Sequence, residues 1–227
     1  MSRIKGLREL WQLLKHYKPY TTSKVNNLFC TIHEAVAEIR HNRMLIIQDH
    51  AGRENEGDLF IPAAYATPEH VNFMITYGKG LVCAPITYKR ALQLKLPLMV
   101  SEDKNEEYTK CNFTISVDAR DGIGSGISAF DRAQTIKALS NPTSQATDFV
   151  RPGHIFPLIA KEGLLVKRTG HTEAAIHLAL IAKLDPSGVI CEIIGDDGLM
   201  VRGKDLERFA LTHDIKIITI ETLVRNS

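Results

Sequence analysis

Three carboxylates in the run Arg53-Glu54-Asn55-Glu56-Gly57-Asp58 fall at i, i+2 and i+4, so an extended backbone sets Glu54, Glu56 and Asp58 on one face. Like charges so placed repel, and a hard divalent cation such as Mg²⁺, which takes oxygen ligands and usually one or two carboxylates, relieves the repulsion. A solvated acidic loop would carry the same residues. The second cluster, Arg168-Thr169-Gly170-His171-Thr172-Glu173, puts a Gly-His turn at the opening of a helix that Thr172 can cap, with Arg168 on the strand side. Unsatisfied N–H groups at a helix start favour a phosphate, and an arginine fork adds charge-assisted bonds. His171 fits an ordinary turn histidine as well.

Two further residues could move protons. His154, in Arg151-Pro152-Gly153-His154, is expected at a strand entrance with its ring free to point into a cleft, although a structural histidine reads the same way. Glu192 lies inside the apolar run Val189-Ile190-Cys191-Glu192-Ile193-Ile194, where a charge is expensive unless paired, used or turned to solvent. The turn from Gly122 to Ser128, which includes Ser125, offers N–H groups and hydroxyls that could cradle a phosphate.

The elements that must position these groups alternate along the chain. Short apolar runs at Met44 to Ile47, Leu59 to Ile61, Leu81 to Ile86, Ile155 to Ala160, Leu164 to Val166, Val189 to Ile194 and Ile215 to Ile220 predict strands. The alternation of Phe113, Ile115 and Val117 with polar residues predicts another. Thr31 and Glu34 have capping-box spacing ahead of a helix. Thr67-Pro68 opens a second helix that Gly78 can end in a left-handed conformation. Further helices are expected near Asp131 to Leu139, Glu173 to Lys183 and Lys204 to Thr212, with long polar loops at Lys95 to Asn112 and Ser140 to Gly153. The first of those loops has the length of a lid. Residues 1–30 read as an amphipathic helix built on Leu7, Leu10, Trp11 and Leu14 followed by a linker, and 31–227 as one α/β (α+β) domain, a mixed sheet surrounded by helices.

Composition narrows the function classes. A net charge of +2 gives no nucleic-acid arm, and no apolar run approaches the roughly 20 residues that span a membrane. Cys30, Cys83, Cys111 and Cys191 form no Cys-x-x-Cys pair, which disfavours a zinc-type hydrolase and suits a reducing cytoplasm.

Taken in order, Arg53 to Asp58, Gly126-Ile127-Ser128-Ala129 with Asp131-Arg132, Arg151 to His154, and Gly170-His171-Thr172-Glu173-Ala174 resemble the 3,4-dihydroxy-2-butanone 4-phosphate synthase family from about Thr31 to Leu223. The resemblance implies conversion of D-ribulose 5-phosphate to L-3,4-dihydroxy-2-butanone 4-phosphate and formate for riboflavin, with Mg²⁺ or Mn²⁺, in a homodimer with sites near its interface. It implies Glu54 and His171 as metal ligands and His154 and Glu192 as catalytic residues. Arg53, Glu54, Asp58, Cys83, Ser125, Arg168, Thr169, Gly170, His171, Thr172 and Glu192 match substrate-binding positions. The chain departs from the family at Asp49-His50-Ala51-Gly52, where relatives carry several acids and only Asp49 remains. That change motivates an alternative, a catalytically weakened homologue that binds a sugar phosphate as a regulatory module. The GTP cyclohydrolase II domain that some relatives carry is not expected here.

Overall fold

A computed structural model describes residues 28–225, so the expected N-terminal helix and most of its linker lie outside the described residues. Strands β1 (Leu45–Gln48), β2 (Gly57–Pro62), β3 (Cys83–Ile86), β4 (Val117–Ala119), β5 (Phe149–Ile159), β6 (Gly188–Glu192) and β7 (Lys216–Thr219) form one sheet in the order β4-β5-β3-β6-β2-β1-β7. The pairs β1/β7 and β3/β5 are parallel and the other neighbours antiparallel, so the sheet is mixed. Among the described residues the α-helices are α1 (Ile32–Arg40), α2 (Pro68–Phe73), α3 (Tyr88–Gln93), α4 (Ala129–Ser140), α5 (His171–Ile181), α6 (Gly203–His213) and α7 (Ile220–Arg225).

Successive strand residues point to opposite faces, and here both faces are covered. Ile46, Leu59, Cys191 and Ile217 pack in one core with Val71 of α2, Ile136 of α4 and Leu206 of α6. Leu45, Ile47, Phe60, Ile190 and Ile218 pack in another with Ile39 of α1, Leu178 of α5 and Leu223 of α7. Burial on both sides is why these strands read as continuous apolar runs rather than as alternations. The α/β class expected from the sequence is therefore the one observed.

Several local expectations are corrected. The segment Ser140 to Gly153 is not all loop, because β5 begins at Phe149 and places His154 in mid-strand rather than at its entrance. The Pro-Gly pair hid the strand. A register shift between Val117 and Asp118 opens a bulge opposite residues 151–154, so Pro152 interrupts no ladder bond there, and a Cβ on Gly153 would lie 2.0 Å from the Val117 carbonyl carbon. Leu164–Val166 is a single 3₁₀ turn, not a strand, since Gly163 at φ 89° turns the chain and Val166 N–H closes back on its carbonyl.

Of Phe113, Ile115 and Val117, only Val117 enters β4; Phe113 makes an isolated bridge to Leu158. Helix α2 starts on the Thr67 cap as expected but widens over Met74–Gly78, and the left-handed residue is Lys79, φ 66°, rather than Gly78. Gly78 serves instead for close approach, with a Cβ there 3.0 Å from Leu59 and 3.1 Å from Cys191.

Candidate active site

The turn between β1 and β2 is organised by one buried carboxylate. Asp49 accepts hydrogen bonds at Oδ2 from Arg53 (2.8 Å) and the Glu54 N–H (3.1 Å), and at Oδ1 from the Glu56 N–H (2.9 Å). Burial works to raise its carboxyl, but the Arg53 guanidinium and the backbone donors outweigh burial and hold it below the ordinary range. Asn55, at φ 57°, reverses the chain, and Gly57 opens β2 where a Cβ would meet Leu206 of α6 at 2.7 Å. Together these contacts aim the Glu54 side chain at the start of α5.

That start is set by Gly170, not by Thr172. Gly170 is the N-cap residue and the helix begins at His171, so Thr172 lies inside the helix. A Cβ on Gly170 would lie 2.2 Å from the Arg168 guanidinium, so a side chain there would have to push that guanidinium away from Glu173. His171 Nδ1 stands 3.7 Å from Glu54 Oε2 and 3.8 Å from Asp58 Oδ1, while its Nε2 is buried without a hydrogen-bond partner. Burial pushes the imidazole down to about 4, so it is neutral at neutral pH, the form that ligates metals. Asp49, Glu54 and His171 each offer a ligand atom, all within 4.8 Å of one another. Two carboxylates and a neutral imidazole with an orphaned nitrogen suit a magnesium- or manganese-type ion.

Asp58 and Glu192 are direct partners across β2 and β6, which places two acids side by side beside this cluster. Burial, then the charge of Glu192, raises Asp58 well above the carboxylate range. Burial raises Glu192 too, against the opposing pull of backbone hydrogen bonds. Glu192 Oε2 accepts the Leu81 N–H at 2.8 Å. Gly80 makes this possible, because a Cβ there would lie 2.5 Å from Glu192 Oε2 and 2.6 Å from its carbonyl oxygen. Gly80→Ala is therefore expected to displace the carboxylate from the Leu81 N–H, as read by a shift of the residue 81 amide resonance beside circular dichroism.

The opposite wall comes from the loop ahead of β4. Arg168 donates from Nε to the Thr109 carbonyl (3.0 Å), from one terminal nitrogen to the Thr109 hydroxyl (2.9 Å) and from the other to Glu173 (2.6 Å). Glu107 accepts the Thr109 and Cys111 N–H groups at 2.9 and 2.7 Å and so fixes that loop. The cleft between these walls measures about 490 Å³.

Of the residues singled out in the sequence, Arg53, Glu54, Asp58, Cys83, Arg168, His171, Thr172 and Glu192 line this cavity. Ser125, Thr169, Gly170 and His154 do not. His154 lies elsewhere on the chain, its Nδ1 2.7 Å from Asp118 Oδ2 and its side chain 42% exposed. Gly126, at φ 91°, allows that pair, since a Cβ there would fall 2.2 Å from Asp118 Oδ2 and 2.6 Å from His154 Nδ1. Glu107, Thr109, Gly80 and Arg202 were not anticipated; Thr109, Gly80 and Arg202 act through contacts distant in sequence, Glu107 through the neighbouring Thr109 and Cys111 N–H groups, and none sits in a recognisable pattern.

The family model for 3,4-dihydroxy-2-butanone 4-phosphate synthase matches residues 33–226. The riboflavin biosynthesis protein RibBA of Bacillus cereus (strain G9842) is 51% identical over 197 residues, 87% of this chain and 49% of that protein. The chain thus spans about half the length of the curated relatives it matches. RibBX, a two-domain 3,4-dihydroxy-2-butanone 4-phosphate synthase from A. baumannii, superposes with a TM-score of 0.83 at 48% identity over 87% of this chain and 57% of that one. A 3,4-dihydroxy-2-butanone 4-phosphate synthase in complex with two magnesium ions gives a TM-score of 0.83 at 37% identity, covering 87% of this chain and 96% of the other. Matched by the family model along nearly its whole described length, the chain belongs to the 3,4-dihydroxy-2-butanone 4-phosphate synthase family.

Proposed function

We propose that the protein converts D-ribulose 5-phosphate to L-3,4-dihydroxy-2-butanone 4-phosphate and formate in riboflavin biosynthesis, as a magnesium-dependent cytoplasmic homodimer in which manganese can replace magnesium. The observation that carries this reading is the convergence of Glu54 and His171, 3.7 Å apart, beside the Asp58–Glu192 pair and Arg168 in one cavity. Glu54 and His171 hold the ion. Arg53 Nη1 donates to both Asp49 and Glu54, but Asp49 also accepts the Glu54 and Glu56 N–H groups on its two oxygens, so it serves chiefly to shape their loop. When bound, magnesium supplies a Lewis acid that stabilises negative charge developing on a substrate oxygen.

The chain's own groups do the rest. Arg168 and the N–H groups at the start of α5 take the phosphate, turning its binding energy into orientation of the sugar. Glu192, raised by burial and fixed by the Leu81 N–H, takes the proton beside the carbonyl. Asp58, raised well above the carboxylate range by burial and by the charge of Glu192, stands next to it as the second acid of the pair. Cys83, Phe113, Leu158 and Ile190 give the cavity an apolar side that limits water.

His154 completes the site from a second copy. Its Nδ1 is engaged by Asp118, which fixes the ring and leaves Nε2 as the atom that exchanges a proton. Ile127 and Phe130, 53% and 54% exposed in the single chain, lie on the same glycine turn and helix start and give a partner an apolar seat.

The test is direct. Incubation with ribulose 5-phosphate and Mg²⁺ is expected to release formate one-for-one with substrate, and EDTA to stop it reversibly. Binding of the sugar phosphate without formate would replace this reading with that of a binding module.

A further inference from the structure

We infer that Arg202 is a positioning residue for the metal site, bracing the loop that carries Glu54 from the start of α6. The inference rests on the reading of Glu54 as a metal ligand. Arg202 Nε donates to the Glu54 carbonyl oxygen at 3.0 Å, and a terminal nitrogen of the same guanidinium donates to the Glu56 carboxylate. One planar fork therefore holds the backbone at the ligand and the side chain two residues on, a geometry an ammonium cannot reproduce.

The position of Arg202 gives the brace its leverage. The chain leaves β6 after Glu192 and doubles back in a tight turn, with Gly195 N–H on the Leu199 carbonyl and Val201 N–H on the Ile193 carbonyl. Ile194 and Met200, bridged across this turn, both line the cavity. Arg202 follows as the N-cap residue of α6, whose Leu206 packs over Gly57. The strand that carries Glu192 and the loop that carries Glu54 are thus tied into one body by a residue that need not touch ion or substrate.

Electrostatics and positioning predict opposite results, which makes the inference testable. Removing a cation beside acids strengthens the field that attracts a divalent ion, so charge alone makes Arg202→Gln bind Mn²⁺ more tightly. Loss of the brace does the reverse, and outer-shell partners of metal ligands are worth about 10- to 100-fold in affinity. Mn²⁺ titration followed by electron paramagnetic resonance, on the full chain without substrate, is expected to show Arg202→Gln weakened by about tenfold and Arg202→Lys in between. Thermal midpoints check the fold, and the Lys variant supplies the measurement if the Gln variant does not fold. Mn²⁺ affinity equal to or above wild type in Arg202→Gln, with Glu54→Gln clearly weakened, overturns the role of Arg202 alone. Wild-type affinity in Glu54→Gln instead removes the ligand reading, and this inference with it.

Discussion

Glu54→Gln is expected to lower magnesium-dependent turnover about a thousandfold, equivalent to about 4 kcal/mol of transition-state stabilisation, and to weaken Mg²⁺ binding in isothermal titration. The substitution is nearly isosteric and removes one charge. The turn that carries residue 54 keeps its shape, because Asp49 holds the main chain through the N–H groups of residues 54 and 56. The defect should therefore appear in metal affinity and kcat, with the thermal midpoint close to that of the wild type. A magnesium titration indistinguishable from wild type would count against Glu54 as a ligand.

His154→Ala is expected to leave metal binding intact and sugar-phosphate affinity nearly so, while lowering kcat by about 10³-fold, the size of effect that loss of an acid–base group produces. The side chain lies outside the cavity of its own chain, so its removal disturbs no wall of that cavity. A second experiment separates a shared site from a self-contained one. In a symmetric dimer whose sites combine Glu54 of one copy with His154 of the other, mixing inactive Glu54→Gln and His154→Ala chains restores one intact site per heterodimer. Random exchange then recovers about a quarter of wild-type activity. No recovery after verified exchange would place both residues in the same chain's site, and a large loss of substrate affinity in His154→Ala would make it a binding residue.

The parts of the fold legible in the sequence are those governed by local rules. Thr31 with Glu34 and Thr67 with Pro68 start helices where the chain places their partners three residues away or less. Runs such as Leu45 to Ile47 are strands because both faces of the sheet are covered. What escaped is set by distant contacts. The strand through Arg151-Pro152-Gly153 exists only because a bulge opposite Val117 and Asp118 accommodates it. Leu164–Val166 has the composition of a strand but follows a left-handed glycine that turns it away from the sheet. The site divides the same way. Acids and histidines announce themselves by residue type, whereas Thr109, Gly80 and Arg202 matter for what they hold, and those partners lie far along the chain.

The shape of the turn from Asp49 to Glu56 has a thermodynamic corollary. Its conformation is fixed by protein hydrogen bonds before any ion arrives. Capture of the ion then freezes few additional torsions, and the entropic penalty that a floppy acidic loop would suffer is largely absent. For the ion proposed above, a rigid receptor gains affinity by preorganisation. Such a receptor should bind its ion with little change in hydrogen exchange along the turn.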